Sequence, residues 1–371
     1  MTIDTNAKAD KNAKYDKRGL HPYVAYLKDH YPDYDKWVAE QNVPVITGHY
    51  VADCRTEPVY PWERTGGSGV FINLSEQTID DAYICEIPPG GALHPERHIY
   101  EELIYVVAGK GSTSVWQDGG EPVQFEWQAG SFFAIPLNAW HRHYNGSGDE
   151  PARLLGATSA PLTINLMHNT DVIFNCDFTF SDRFGGGSDF FSGEKTFRDG
   201  VKSGLWETNF IADARKVELR DHSARGQGQS IFLALSGSAM KSHISRFPIG
   251  TYKKAHRHGP GAHIYILDGE GYSLMWEEGK PRHRYEWHEG SMISPPNNWY
   301  HQHFNTGDRP ATYLALQRPQ LIYSKGESHQ IEYEEEDPTI RVEYVDELSR
   351  KGVELQMPPV TYAGGGHSGE A

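Results

Sequence analysis

Two stretches of the chain repeat one another at a fixed separation of 160 residues. His98 pairs with His258, Gly109 with Gly269, Trp116 with Trp276 and Trp127 with Trp287. Gly130 pairs with Gly290, Pro136 with Pro296, His141 with His301 and Asn145 with Asn305. The separation is constant across this window, so no insertion divides the copies there. A repeat of this length is a whole folding unit and decides the architecture before any local signal is read. Each copy carries a His-bearing segment at both ends, so the duplication offers two places to build a metal site.

Within the copies, short β-rich runs are punctuated by Gly and Pro. YICEI, LIYVV, TSVW and SFFAI belong to the first, IFLAL, HIYIL, YSLMW and SMISP to the second. That pattern predicts an all-β antiparallel sandwich or barrel. The chain divides into an N-terminal extension (1–45), a first β domain (46–175), a connecting segment (176–228), a second β domain (229–323) and an acidic tail (324–371). Residues 1–20 are polar and read as disordered, and His21 to Gln41 reads as a helix interrupted near Pro32. The connecting segment is a lid, an oligomer arm or a packed strap. The tail, with EYEEED and a short helix near 345–352, reads as an interaction arm or solvated end away from any site.

Composition removes several function classes. The net charge of −15 argues against a nucleic-acid partner, and no basic stretch interleaved with aromatics appears. No apolar run of membrane-spanning length appears, and the N-terminal segment lacks the apolar core of a secretory signal; with cysteine usage that suits a reducing compartment, a cytoplasmic protein without a membrane partner is expected. Cys54, Cys85 and Cys176 are widely spaced and read as small buried apolar residues.

The second copy carries the sharper constellation. His256 and His258 lie two apart, so on a strand both face one side, and His301 can arrive from a separate strand. Imidazole suits iron, zinc, copper and nickel, and a three-nitrogen set leaves coordination positions open. Three neutral ligands keep the full divalent charge on the metal, which favours an anionic, chelating substrate. Trp299 and Tyr300 flank the third His and are candidates to hold a flat substrate. Trp116, Trp127, Trp276 and Trp287 recur in both copies and read as packing residues. The first copy has Glu96, His98, Glu102 and His141 at the matching positions, with His94 in reserve. Oxygen donors suit Mn, Fe and Zn, so this is a possible second metal site or a metal-free polar cluster.

Here the chain resembles the cupin superfamily, whose motifs are G-x5-HxH-x3,4-E-x6-G and G-x5-P-x-G-x2-H-x3-N. The second copy reads Gly250, His256-x-His258, Gly269, then Gly290-x5-Pro296-x-Asn298-x2-His301-x3-Asn305. Ala262 stands where the motif has Glu. A Glu-less three-His site, His256-Arg257-His258 and Pro295-Pro296-x-x-Trp299-x-His301 resemble the gentisate 1,2-dioxygenase group. That group carries a substrate-binding Arg where this chain has Ile264.

The resemblance implies a bicupin of two double-stranded β-helix barrels with a helical N-terminal extension. It also implies mononuclear Fe(II) on His256, His258 and His301, with Mn, Zn or Ni as alternatives. The activity implied is a ring-cleaving non-haem iron dioxygenase using O2 on an oxygenated aromatic, gentisate- or salicylate-like, or a similar chelating small molecule. His303 would be catalytic, positioning substrate or O2 and shuttling a proton. Trp299, Tyr300, Arg257 and His263 would belong to the substrate pocket, and the assembly would be a homo-oligomer, dimer or tetramer. Two alternatives stand beside it: a redox-neutral metal-dependent decarboxylase, lyase or isomerase, and a non-catalytic binding bicupin.

Overall fold

A computed structural model describes residues 19–76, 78–200, 203–259, 262–320 and 328–362. The segment 1–18, expected to be disordered, lies outside the described residues.

Each copy folds as two facing sheets rather than one continuously hydrogen-bonded barrel. The first has an eight-stranded and a three-stranded sheet, the second a nine-stranded and a five-stranded one. The expected strands form: Asp81–Ile87, Glu102–Ala108, Lys110–Trp116 and Phe132–Ile135, then Gln229–Leu235, Ala262–Asp268, Glu270–Trp276 and Met292–Ile293. Alternation along them sets two faces. On Met240–Phe247, Met240 and Ile244 enter the apolar cluster shared with the first copy, while Lys241, His243 and Ser245 face the interior of the second.

The copies exchange edge strands. Tyr50–Val51 pairs with Met292–Ile293 of the second copy, and Phe210–Ile211 pairs with the strand Phe132–Ile135 of the first. Residues 50 and 210 are again 160 apart. The joints match too: Ser291 Oγ donates to the Ala52 carbonyl at 2.7 Å and Ser131 Oγ to that of Ala212 at 2.9 Å. An uncovered sheet edge is a template for unwanted pairing, and each copy covers its neighbour's. One core results, joining Ile72, Ile84 and Leu155 to Ile231, Leu233 and Leu314. The connecting segment is therefore a packed strap, whose Leu205–Thr208 runs parallel to Gln229–Leu235.

The ends of the chain finish the two copies differently. The predicted N-terminal helix is two, Pro22–His30 and Tyr34–Glu40, the second capped by Asp33, which accepts from the Lys36 N–H. Trp37 of that helix packs on Phe71 and Phe174 over the first copy. The tail corrects the expectation of a solvated arm. Ser328–Gln330 pairs directly with His256–His258, and the helix Pro338–Lys351 ends on Gly352 in the left-handed region at φ 68°. Its Tyr344 hydroxyl, fully buried, meets the carbonyls of Thr251 and Asn305.

Candidate metal centres

In the second copy His256, His258 and His301 converge, their ligand atoms all within 4.8 Å of one another. His256 sits opposite His301 in the sheet register, so neighbouring strands deliver the pair. The turn before His301 uses Asn298 at φ 64° where the motif has Gly; Asn tolerates this region. Its N–H donates to the His258 carbonyl at 3.1 Å, pinning the turn to the ligand strand.

Backbone carbonyls dictate the tautomers. His256 Nδ1 meets the Lys254 carbonyl at 2.9 Å, His258 Nδ1 that of Gly259 at 3.0 Å, and His301 Nδ1 that of Trp299 at 3.2 Å. A carbonyl only accepts, so each Nδ1 carries the proton and each Nε2 presents a lone pair, the form that binds a metal. Burial, and then the neighbouring imidazoles, hold His256 and His301 well below the usual imidazole range. Burial also lowers His258. The ligands are neutral without competition from protons.

His303 is wired the other way. The Trp287 indole N–H donates to Ser273 Oγ at 3.0 Å, and that hydroxyl lies 2.7 Å from His303 Nδ1. An indole only donates, so it takes one Ser273 lone pair, and the hydroxyl is positioned to give its own proton to Nδ1, which would leave the His303 proton on Nε2. The first copy repeats the relay as Trp127, Thr113 and His143, at 2.9 and 2.7 Å. Burial, with Lys253 and His258 adding to it, lowers His303 to about 3. At neutral pH the ring is therefore uncharged. Room for the relay depends on Gly271, where a Cβ would lie 1.9 Å from the Phe304 carbonyl oxygen.

The first copy gathers His98, Glu102 and His141. Here too Nδ1 of His98 and of His141 faces a carbonyl, of Tyr100 and Ala139. His98 Nε2 then points at Glu102 Oε2 across 3.4 Å, with His141 Nε2 3.8 Å from the same oxygen. All three atoms are buried with no hydrogen-bond partner among the described residues. Lone pairs facing one another in a dry interior are costly, and a divalent ion at their centre would resolve them. Burial would raise the Glu102 carboxyl, but His98, His141 and the Tyr83 hydroxyl outweigh it and bring it to about 2. Glu96, opposite His141 in register as His256 is opposite His301, pairs one oxygen with Arg64 at 2.6 Å and keeps the other 3.8 Å from His141 Nε2, at the edge of this trio. His94 is also outside it, against the Arg64 carbonyl. The adjoining cavity is only about 20 Å³.

The second site opens instead into a cavity of about 290 Å³ reached by His256 and His258. None of the four residues expected in its wall lines it. Strand alternation turns Arg257 outward, where it pairs with Glu278 and covers the Tyr300 ring. Tyr300 stacks on Trp276, and Trp299 on His283. His263 is fully buried beside Asp80 of the first copy, 3.3 Å away, on the face between the copies. The wall is built from residues with no motif: Arg225 from the strap, Lys241, Lys253, Tyr313 and Arg318. Alternation on Met240–Phe247 could have suggested Lys241; nothing local marks Arg225. Cys54 and Cys85 are buried, and burial first of all lifts the Cys85 thiol to about 12, so both act as apolar fillers.

Comparisons with known proteins agree with this architecture. Residues 83–158 and 243–316 each match the Cupin domain model. No curated protein matches in sequence. An oxalate decarboxylase variant from Bacillus subtilis aligns with a TM-score of 0.51 and 12% identity, over 84% of this chain and 88% of that one. The formate complex of oxalate decarboxylase from Lactobacillus farciminis aligns at 0.50 and 15%, over 82% and 94%. A Bacillus subtilis oxalate decarboxylase studied for its Mn(II) centres aligns at 0.50 and 13%, over 81% and 84%. At such identities the likeness is one of fold. These neighbours are oxalate decarboxylases, which corrects the expectation of a ring-cleaving iron dioxygenase of the gentisate type. The physical reason is that HxH on one strand and a third His on the next follow from cupin register, whatever the chemistry. Among the described residues no helix is long and apolar enough to cross a membrane.

Proposed function

From a chain of two cupin domains with unlike sites, we propose a redox-neutral, metal-dependent lyase of the decarboxylase kind, acting on a small chelating carboxylate in the second domain. The observation that carries this is the contrast in access. Both sites offer preset ligand atoms, but only the second faces a cavity large enough for a substrate. Closed sites serve structure, and catalytic ones keep an open position. The redox-neutral assignment is supported by the oxalate decarboxylase neighbours, and manganese is the first metal to test.

His256, His258 and His301 would hold the ion, and His98, Glu102 and His141 a second one. A bound divalent ion supplies Lewis acidity toward carboxylate oxygens. Around it, His303 would donate a hydrogen bond from Nε2 to the bound carboxylate, with Ser273 holding its Nδ1. The strap and the tail strand Ser328–Gln330 wall the cavity and limit water entry, which strengthens each polar contact inside.

The test is elemental analysis of protein purified without chelators, followed by assays of CO2 release and O2 consumption with a panel of small carboxylic acids. About two metal equivalents per chain, and CO2 release without stoichiometric O2 uptake, are expected. Stoichiometric O2 consumption would overturn the redox-neutral assignment, and saturable binding without turnover would leave a binding protein.

A further inference from the structure

The interior of the second copy is far more positive than a metal site alone requires. Arg225, Lys241, Lys253 and Arg318 all line the 290 Å³ cavity, and no carboxylate lines it among the described residues. The first copy differs at the same register positions. Lys241 stands 160 residues after Asp81, and Lys253 160 after Leu93, both of which line the small cavity there. The arginines differ in the same sense. The Arg64 and Arg225 loops correspond, since His94 N–H donates to the Thr65 carbonyl and Lys254 N–H to that of Arg225. Arg64, one position earlier, finds Glu96. In the second copy that position is His256; Arg225 Nη2 donates to Ser328 Oγ at 3.2 Å, and its Nη1 is buried with no hydrogen-bond partner among the described residues. Lys253 is only 2% exposed, and its ammonium has no carboxylate partner among the described residues, only the Gln227 carbonyl at 3.5 Å and the Phe247 ring at 5.2 Å.

We infer that this cavity is built for a small polycarboxylate: one carboxylate beside the three histidines and at least one more on Arg225, Lys241, Lys253 and Arg318. The metal end of this inference rests on the function proposed above. Its cationic end stands on the lining alone. Four cations beside a divalent ion repel it and one another, and an anion of two or more charges relieves both. Burial, followed by Arg225, lowers Lys253 to about 8. Lys241 is lowered by burial, Arg318 and Arg225. The cavity is large enough for a di- or tricarboxylate. Arg246, Lys254 and Arg257 are spent elsewhere, on Thr312, Glu332 and Glu278.

Calorimetric titration of the full chain, Mn(II)-loaded and metal-free, with acetate, succinate, tricarballylate and inorganic phosphate tests this. Succinate and tricarballylate should bind on the order of a hundredfold more tightly than acetate. Arg225→Ala and Lys241→Met should each weaken them roughly tenfold or more, the loss expected for a charged hydrogen bond. Mn(II) occupancy, read by paramagnetic resonance, should stay unchanged in both variants. Acetate binding within threefold of tricarballylate, or both variants retaining full affinity, would overturn the polycarboxylate subsite while leaving the metal reading intact. Phosphate binding more tightly than succinate would overturn the carboxylate assignment. Loss of Mn(II) binding with discrimination among the anions preserved would refute the metal reading alone and support the cationic subsite.

Discussion

Replacing Lys253 by Met should stabilise the empty protein while weakening its affinity for anions. The ammonium is buried, and burial takes it from 10.5 to about 8. At roughly 1.4 kcal/mol per tenfold change, holding it charged at pH 7 costs the folded state about 3 kcal/mol. Loss of its long contact with the Gln227 carbonyl and of its place over the Phe247 ring returns about 2 kcal/mol, so a net gain of about 1 kcal/mol is expected in metal-free, ligand-free protein. The sign with pH follows from the lowered folded value. Between about 8 and 10.5 the unfolded chain binds the proton more tightly, so wild-type stability rises with pH across that window. Lys253→Met should lack that rise and already possess the gain at pH 7. Chemical denaturation of both proteins at pH 7 and pH 10, with and without tricarballylate, reads all of this. A Met variant less stable than wild type at pH 7 would show the ammonium to be favourably paired, and the argument for an uncompensated cationic interior would fail.

Four further outcomes follow from the geometry. A chelator should strip the second site first, with the enclosed first site exchanging roughly tenfold or more slowly; His141→Ala should abolish the slow fraction in elemental analysis. Ser273→Ala frees His303 Nδ1, so nitrogen resonance should change from an Nε2–H imidazole to mixed tautomers. Turnover should fall roughly 5- to 100-fold, the cost of a lost buried hydrogen bond. Gly271→Ala drives a methyl into the Phe304 carbonyl and should cost about 3 kcal/mol, the upper end of overpacking, read as a lower denaturation midpoint. The homo-oligomer expected from the sequence has a candidate surface where Tyr26 meets Tyr31, Tyr31 meets His168 and neighbouring Leu166 is 68% exposed. Light scattering should report a dimer or tetramer, and Leu166→Glu should shift it toward monomer.

The histidines of the second site were legible because register is periodic: residues two apart on a strand share a face, and the 160-residue repeat located the partner strand. Glu102 and His141 were legible through the same template. The wall residues were not. Arg257, next to both ligands in sequence, points away because alternation turns it outward, and Tyr300 follows it. Arg225 lies 31 residues before His256 in a strap without periodicity, so only closure of the fold brings it to the cavity.

The duplication, the all-β architecture and the metal-ready histidines were thus determined by sequence alone, because each depends on spacing within or between regular strands. Tertiary structure decided which copy is open. Trp37 of the second N-terminal helix and the Arg64–Glu96 pair fill the first, whereas four cations, with no carboxylate among the described residues, line the open second. It also decided that edge strands cross between copies and that the tail pairs with the ligand strand. Those outcomes depend on packing between segments far apart in the chain, where no local pattern records the partner.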